Sequence, residues 1–327
     1  MKKIVICISL WAGIFAVSCK KSTPEAPEGI PMSFGTAAVS RAVNLVDSEN
    51  INKADNKLTV YDLYTTSEQS VLYMDATQVT CDGSGNWTYS SLKYWTETGT
   101  HAFTAYLSKQ NGVTNYPTVT YDQTSNALSI SQWEITPDNQ FDFLYAYHSR
   151  SMTEAYPHRQ VEFELNHLLC AVQFNVVNLM PEEEVTLTGF SLSGLCKGSA
   201  VITQGTPTIT FDTDATDAVY AFPADIASGG QTLTFNQAHN LFPDATYEGY
   251  VLLWPYTVDV FPEVTGTISY TYGSTTVSDR QINLIDGGTN NWRAGQKYVY
   301  NFYIQDNRIS LEVKVVPWKV DDVIIEE

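Results

Sequence analysis

The sequence has 327 residues, with 36 acidic and 18 basic side chains and a formal net charge of −18. Residues 1–18 contain two lysines and no acid, so the chain after residue 18 has a net charge of −20. Such a surface repels phosphate backbones and argues against nucleic acid as a partner. The 20 tyrosines favour strands, and no apolar period of 3.6 residues persists beyond the first 18 residues. The sequence therefore predicts an all-β fold.

The first 18 residues have the pattern of an export signal. Lys2 and Lys3 precede an apolar run over residues 4–17, which spans about 21 Å as a helix and is too short for the ~30 Å hydrocarbon core. We therefore interpret residues 1–18 as a signal peptide. Ala16 and Ser18 precede Cys19 in a pattern that resembles a bacterial lipobox, which predicts a lipidated Cys19 held at the outer membrane. The alternative is ordinary secretion, in which Cys19 carries no lipid.

A polar spacer and a short extended segment follow the cysteine. Residues 19–29 include two prolines and two glutamates, which predicts an unfolded, lipidated spacer. Ile30, Met32 and Phe34 then alternate with Pro31, Ser33 and Gly35, so a strand over residues 30–39 carries its large apolar groups on one face. Pro31 cannot donate to a ladder, which predicts an edge strand.

An arginine follows this strand. Arg41 and Ala42 stand among small residues, between the strand and the polar residues 47–50. A loop arginine of this kind suits a trypsin-like protease, which needs a long cation and accessible backbone. Arginines are common in loops, so these residues alone leave the cleavage open.

Short strands separated by turns fill the rest of the chain. Their spacing predicts two β-sandwich domains, residues 30–157 and 158–327, with the boundary in the polar segment near Pro157. In the second domain Val161, Phe163 and Leu165 are predicted to face inward. The clearest hairpin joins apolar alternations over residues 298–304 and 309–315 through a turn near residues 306 and 307.

Metal and redox chemistry has little support in the sequence. Cys81, Cys170 and Cys196 have no C-x-x-C spacing, and a Cys81–Cys196 disulfide is possible but unsupported. Three aspartates over residues 212–217 fit either a calcium loop or, more simply, an acidic surface turn that lacks the glycine and distal glutamate of an EF-hand. The five histidines are dispersed, and His167 is expected to serve a turn or core hydrogen bond.

Catalysis likewise has no motif to support it. No serine lies in a G-x-S-x-G pattern and no glycine-rich loop precedes a helix, so the chain is predicted to be no enzyme and to need no cofactor. A hydrolase would need converging carboxylates, which sequence alone does not reveal. A rival function is glycan binding at the cell surface, with sugars stacked on aromatic residues, although alternating strands favour a core role for these side chains. The candidates are Trp87, Trp95, Trp133 and Trp254.

Taken in order, several motifs resemble the fimbrillin family, the lipoprotein precursors of type V pilus subunits. The resemblance spans nearly the whole chain. The motifs are the lipobox, the Arg41-Ala42 pair, Trp87 with Tyr94-Trp95, residues 103–106, residues 163–167, residues 292–300 and residues 313–318.

This resemblance implies two tandem transthyretin-like β-sandwiches, exported as a lipoprotein that supports adhesion from a surface fimbria. It further implies that an arginine-specific protease cuts after Arg41 and removes the strand of Ile30, Met32 and Phe34. The emptied groove then takes a strand from another pilin subunit. The candidate donor strand is the tail that contains Val323, Ile324 and Ile325.

Overall fold

The structure is a computed structural model, and every regular element it describes is a β-strand. It describes residues 29–36, 51–110, 116–136, 140–152, 160–211, 219–223, 226, 229–243, 249–256, 264–285 and 291–318. The predicted all-β fold is confirmed for these residues. None of them belongs to a helix long and apolar enough to cross a membrane.

In the described part of the chain up to residue 167, ten strands follow one another. They are β1 (Ser33–Thr36), β2 (Lys57–Thr65), β3 (Ser70–Cys81), β4 (Trp87–Thr88), β5 (Thr100–Lys109), β6 (Val119–Asp122), β7 (Ala127–Glu134), β8 (Leu144–Ser151), β9 (Gln160–Phe163) and β10 (Asn166–His167).

Twelve further strands occupy the described residues after 167. They are β11 (Cys170–Asn178), β12 (Val185–Leu195), β13 (Lys197–Thr203), β14 (Thr206–Phe211), β15 (Val219–Pro223), β16 (Gln231–Leu233), β17 (Ala238–Asn240), β18 (Val251–Leu253), β19 (Thr265–Tyr272), β20 (Thr275–Asn283), β21 (Gln296–Gln305) and β22 (Arg308–Pro317).

The first sheet has eight strands in the order β10-β8-β5-β2-β3-β4-β1-β9. The rings of Phe34 on β1 and Phe103 on β5 lie 5.9 Å apart, although three strands separate β1 from β5 in the sheet. The sheet therefore curls and encloses its own core. Inward residues of the alternating strands fill this first core, among them Leu58, Val60 and Phe163.

Two five-stranded sheets pack face to face in the second half. One has the order β17-β11-β21-β22 with β18 also paired to β11, and the other has β15-β12-β19-β20 with β16 also paired to β12. Phe174 and Phe302 from the first sheet meet Phe190 and Ile268 from the second in a shared core, which we call the second core. This packing confirms the predicted sandwich. The predicted hairpin is also confirmed, because β21 and β22 pair from Gln296 to Gln305 across the turn after residue 305.

A four-stranded sheet of order β14-β13-β7-β6 combines strands from both sides of the predicted domain boundary. It encloses a third core, in which Leu128 of β7 and Ala200 of β13 meet Trp254. Strands β9 and β10, which follow the predicted boundary at 157/158, pair in the first sheet. The division of the chain into two domains remains a prediction.

The three cysteines of the described residues are buried in the cores, and no disulfide joins them. Cys81 lies in the first core, whereas Cys170 and Cys196 lie in the second, so the sequence-based Cys81–Cys196 pairing is not formed. Burial raises the pKa of the Cys170 thiol, and it raises the pKa of the Cys196 thiol to about 11. Both are therefore protonated at neutral pH.

We predict that the native chain without residues 1–19 resists modification by the thiol reagent DTNB at pH 8. Burial blocks the reagent, and a thiol with a pKa of about 11 is thiolate in roughly one molecule per thousand at this pH. In guanidinium chloride all three cysteines should react, as measured by absorbance at 412 nm. Rapid native reaction at Cys170 would contradict the packing of the second core.

Candidate functional site

The N-terminal strand β1 is built into the first sheet of the protein. It lies between β4 and β9, pairing with β4 at Phe34 and with β9 in parallel from Ser33 to Thr36. Met32 and Phe34 are each only 2% exposed and belong to the first core, as predicted. Ile30, predicted to share this face, is 37% exposed. The core contact of the segment therefore depends on two residues.

Phe34 occupies an aromatic socket. Its ring stacks on Phe163 at a centroid distance of 5.7 Å and meets the edges of Tyr89 and Phe103 at 5.3 and 5.9 Å. Three aromatic partners around one buried ring contribute both apolar burial and favourable ring geometry. We call the space that β1 fills between β4 and β9, including this socket, the β1 groove.

Hydrogen bonds from a neighbouring segment hold the backbone of the residues just before β1. The Met32 amide donates to the Lys93 carbonyl at 2.8 Å, and the Trp95 amide donates to the Ile30 carbonyl at 2.9 Å. The Tyr89 hydroxyl donates to the Met32 carbonyl at 3.1 Å. These bonds recognise backbone and would hold any extended chain in this register.

The prediction that this strand lies at the sheet edge is wrong by one position, because β9 is the edge strand. Alternate residues of a strand direct their backbone groups to opposite sides. The backbone groups of Ile30 and Met32 bond to Lys93 and Trp95. The nitrogen of Pro31, between them, therefore points to the opposite side, where the pairing with β9 begins only at Ser33. A proline there removes no ladder bond.

Two polar side chains connect the edge strand β9 to its surroundings. The Gln160 amide donates to the Phe34 carbonyl at 3.1 Å, and the Arg150 guanidinium donates to the Gln160 carbonyl at 3.1 Å. The guanidinium also lies over the Trp95 ring, 4.9 Å from its centroid. Arg150 thereby links β9, on one side of the β1 groove, to the segment of Trp95 on the other side.

Several predicted site residues lie outside the described residues. They are Cys19, Arg41, Ala42, Val323, Ile324 and Ile325, together with the aspartates of the proposed calcium loop. The described residues on either side of Arg41 are Thr36, which ends β1, and Ile51, which is buried in the first core. Their predicted roles stay predictions.

Trp318 is the last described residue before the predicted donor tail. Its ring is buried in the third core and stacks on His167 at 3.7 Å, and its amide donates to the Gly295 carbonyl at 3.1 Å. His167 Nδ1 in turn lies 2.9 Å from Asp142 Oδ1, which confirms its predicted role in a core hydrogen bond. The root of the tail is therefore fixed to the body of the protein.

A buried histidine–aspartate pair was missed by the sequence analysis. His101 Nδ1 lies 2.6 Å from Asp62 Oδ2, both side chains are buried, and burial raises the pKa of the Asp62 carboxyl. The Nε2 atom of His101 lies 3.0 Å from Thr96 Oγ1. The available signal was that Asp62 follows Leu58 and Val60 at the next inward position of β2. The pair lies inside the first sheet, where it orders side chains.

The aromatic residues proposed for glycan stacking are mostly inside the protein. Trp87, Trp133 and Trp254 are buried in the cores. Trp95 is half-buried, and the guanidinium of Arg150 covers one of its faces. Buried rings are unavailable to sugars, so the geometry does not favour the glycan-binding alternative.

Among the described residues no group of three or more His, Cys, Asp or Glu side chains has the arrangement of a metal site.

The fold and the β1 groove define the class of the protein, an all-β sandwich whose first core is completed by its N-terminal strand. The profile of the fimbrillin-like family matches residues 40–318, so the chain belongs to that family. It is accordingly a subunit of surface fimbriae and not an enzyme. No curated protein sequence matches the chain.

Solved structures with low sequence identity share the fold. A fimbrial protein from Bacteroides vulgatus is similar with a TM-score of 0.64 at 16% identity, over 88% of this chain and 99% of that one. A candidate cell adhesion protein from Bacteroides ovatus gives 0.51 at 15% identity, over 91% and 100%. Another from Bacteroides uniformis gives 0.51 at 13%, over 89% and 99%.

We predict that Phe34→Ala lowers the free energy of unfolding by about 3–5 kcal/mol, because it empties a filled aromatic socket. The matched control in the same segment is Ile30→Ala, which should change it by less than about 1 kcal/mol because the side chain is partly exposed. Urea unfolding followed by far-UV circular dichroism measures both. Equal effects of the two changes would show that Phe34 is not the anchor of β1.

Proposed function

We propose that this fimbrial subunit is exported as a lipoprotein with Cys19 lipidated, is cut after Arg41, and polymerises by donor-strand exchange into an adhesive surface fimbria. Its partners are then other pilin subunits, an arginine-specific or trypsin-like protease, and the outer membrane before processing. The observation that carries the proposal is that β1 and the residue before it, which precede the cleavage position, supply two buried side chains, Met32 and Phe34, to the first core.

Removal of such a strand leaves a groove that strongly favours a replacement. Burial of a Met or Phe side chain is worth about 1.5–3 kcal/mol each, so the loss of Met32 and Phe34 forfeits roughly 3–6 kcal/mol. The facing backbone groups of Lys93 and Trp95 also lose their partners. An unpaired sheet edge beside an open apolar strip favours β-addition by another chain.

The position of the proposed cut suits this exchange. Arg41 is the only residue with the required cation between β1 and Ile51. After cleavage there, β1 would be held by non-covalent contacts alone, and the high effective concentration that a covalent link provides would be lost. The family match begins at residue 40, four residues beyond the end of β1, which agrees with a mature subunit that begins near Ala42.

The proposed donor lies at a different place from the acceptor. The tail of Val323, Ile324 and Ile325 follows Trp318, which is fixed in the third core, whereas the β1 groove opens on the first core. A contact between two different surfaces of one kind of subunit is head-to-tail. Such contacts extend into filaments, which supports a fimbrial polymer.

We predict that trypsin converts the native chain without residues 1–19 into a form whose N-terminus is Ala42 and which assembles into ladders on unboiled gels. Mass spectrometry identifies the terminus. Arg41→Ala should abolish both products, whereas Arg41→Lys should keep the trypsin cut but resist an arginine-specific protease. A chain cut at Ala42 that stays monomeric at high concentration would overturn donor-strand exchange.

We also predict that Val323→Asp with Ile325→Asp stops polymer growth in the trypsin-cut protein and leaves the fold intact. Two carboxylates on the donor would have to enter an apolar groove, which is strongly unfavourable. The control introduces the same side chain at Val71 and Val201, which are 36% and 44% exposed on other strands. Normal ladders from the tail variant would exclude this tail as the donor.

A further inference from the structure

The geometry points to a register lock in the β1 groove, formed by Gln160 against the glycine at position 35. We infer that the groove selects a fimbrial-subunit strand that presents a large apolar residue followed directly by glycine. The inference rests on the proposed function, because it names the chemistry of the strand that would replace β1.

Gly35 is not needed for its backbone conformation. It is absent from the residues with positive φ, so any amino acid could adopt its extended geometry. Glycine inside a strand is destabilising relative to alanine and often marks a close approach of another group. A second reason must therefore account for glycine at this position.

The close approach is made by the side chain of Gln160. A Cβ atom added to Gly35 would lie 2.4 Å from the Gln160 amide nitrogen and 3.2 Å from Gln160 Cδ. The same amide nitrogen donates to the carbonyl of Phe34 at 3.1 Å. Gln160 thus lies across the outer face of β1, opposite the face that carries Phe34 into its socket.

The backbone of Gln160 is itself held in place. Its carbonyl accepts the hydrogen bond from Arg150, and Arg150 is buried and stacked on Trp95. Any side chain at the register of Gly35 must therefore push the flexible end of Gln160 aside. The displaced amide loses its bond to the strand in the groove, while the rest of the wall stays fixed.

The β1 groove thus constrains both faces of the strand that it holds. The inner face requires apolar groups at the positions of Met32 and Phe34, and the outer face requires no Cβ at the position of Gly35. Residues 319–327 contain no glycine. A second copy of this chain that donates this tail would enter with Gln160 displaced, and a subunit whose strand carries the apolar–glycine pair would be held more tightly.

The test measures the exchange of fluorescent peptides into the trypsin-cut protein, in which β1 is held by non-covalent contacts alone. The peptides are residues 29–39 with the natural sequence, with Gly35→Ala, or with Ser33→Ala as the outer-face control. Loss of one neutral hydrogen bond should weaken the Gly35→Ala peptide about five- to ten-fold, and the Ser33→Ala peptide should bind like the natural one. In a Gln160→Ala protein the penalty for Gly35→Ala should disappear. An unchanged penalty would overturn the lock.

Unfolding of the intact chain separates this inference from the proposed function. A double-mutant cycle of Gly35→Ala and Gln160→Ala should show that the two changes are non-additive, with Gly35→Ala destabilising only when Gln160 is present. Additive effects would overturn the lock. If the cycle shows coupling but no peptide enters the cut protein, the lock holds for β1 itself and strand exchange is the part that fails.

Discussion

The first core depends on one interaction, the insertion of the Phe34 ring between Phe163, Tyr89 and Phe103. These three residues come from β9, from the segment after β4, and from β5. β9 and β4 flank β1, whereas three strands separate β5 from β1 in the curled sheet. A single ring that contacts all three closes the sheet over its core. Because protein interiors tolerate few voids, leaving this space empty should cost about 3–5 kcal/mol of stability. The strand that carries this ring therefore completes the first core.

The sequence predicts which residues face inward better than which core they enter. Val161 and Phe163 alternate as Val172 and Phe174 do, and all four are buried, but the first pair enters the first core and the second pair enters the second. Period-two alternation reports a face of a strand and contains no information about its neighbours in the sheet. The pairing of β7 with β13 across the predicted boundary is a non-local contact of the same kind, and local pattern does not reveal it.

The residues of the candidate site likewise differ in whether a local sequence pattern could predict them. The apolar register of Met32 and Phe34 could be predicted because it is local. The partners of that register, Gln160 and Arg150, could not, because they lie more than a hundred residues away and reach β1 only through the fold. Pro31 illustrates a local rule applied too broadly. Its missing N–H excludes a hydrogen bond on one side of one residue, whereas the prediction of an edge strand extended that exclusion to the whole strand.

The third core gives the proposed polymer a mechanical property. Trp318, at the root of the tail, packs in the same core as Leu128 and Tyr61, and Tyr61 belongs to β2 of the first sheet. Force applied to the tail would therefore enter the sheet that forms the β1 groove through packed side chains and the paired strands β7 and β13. A close-packed interior transmits strain and deforms little. The root of the proposed donor tail and the β1 groove consequently belong to one continuous packed body, which is the arrangement that the proposed filament would require of each subunit under load.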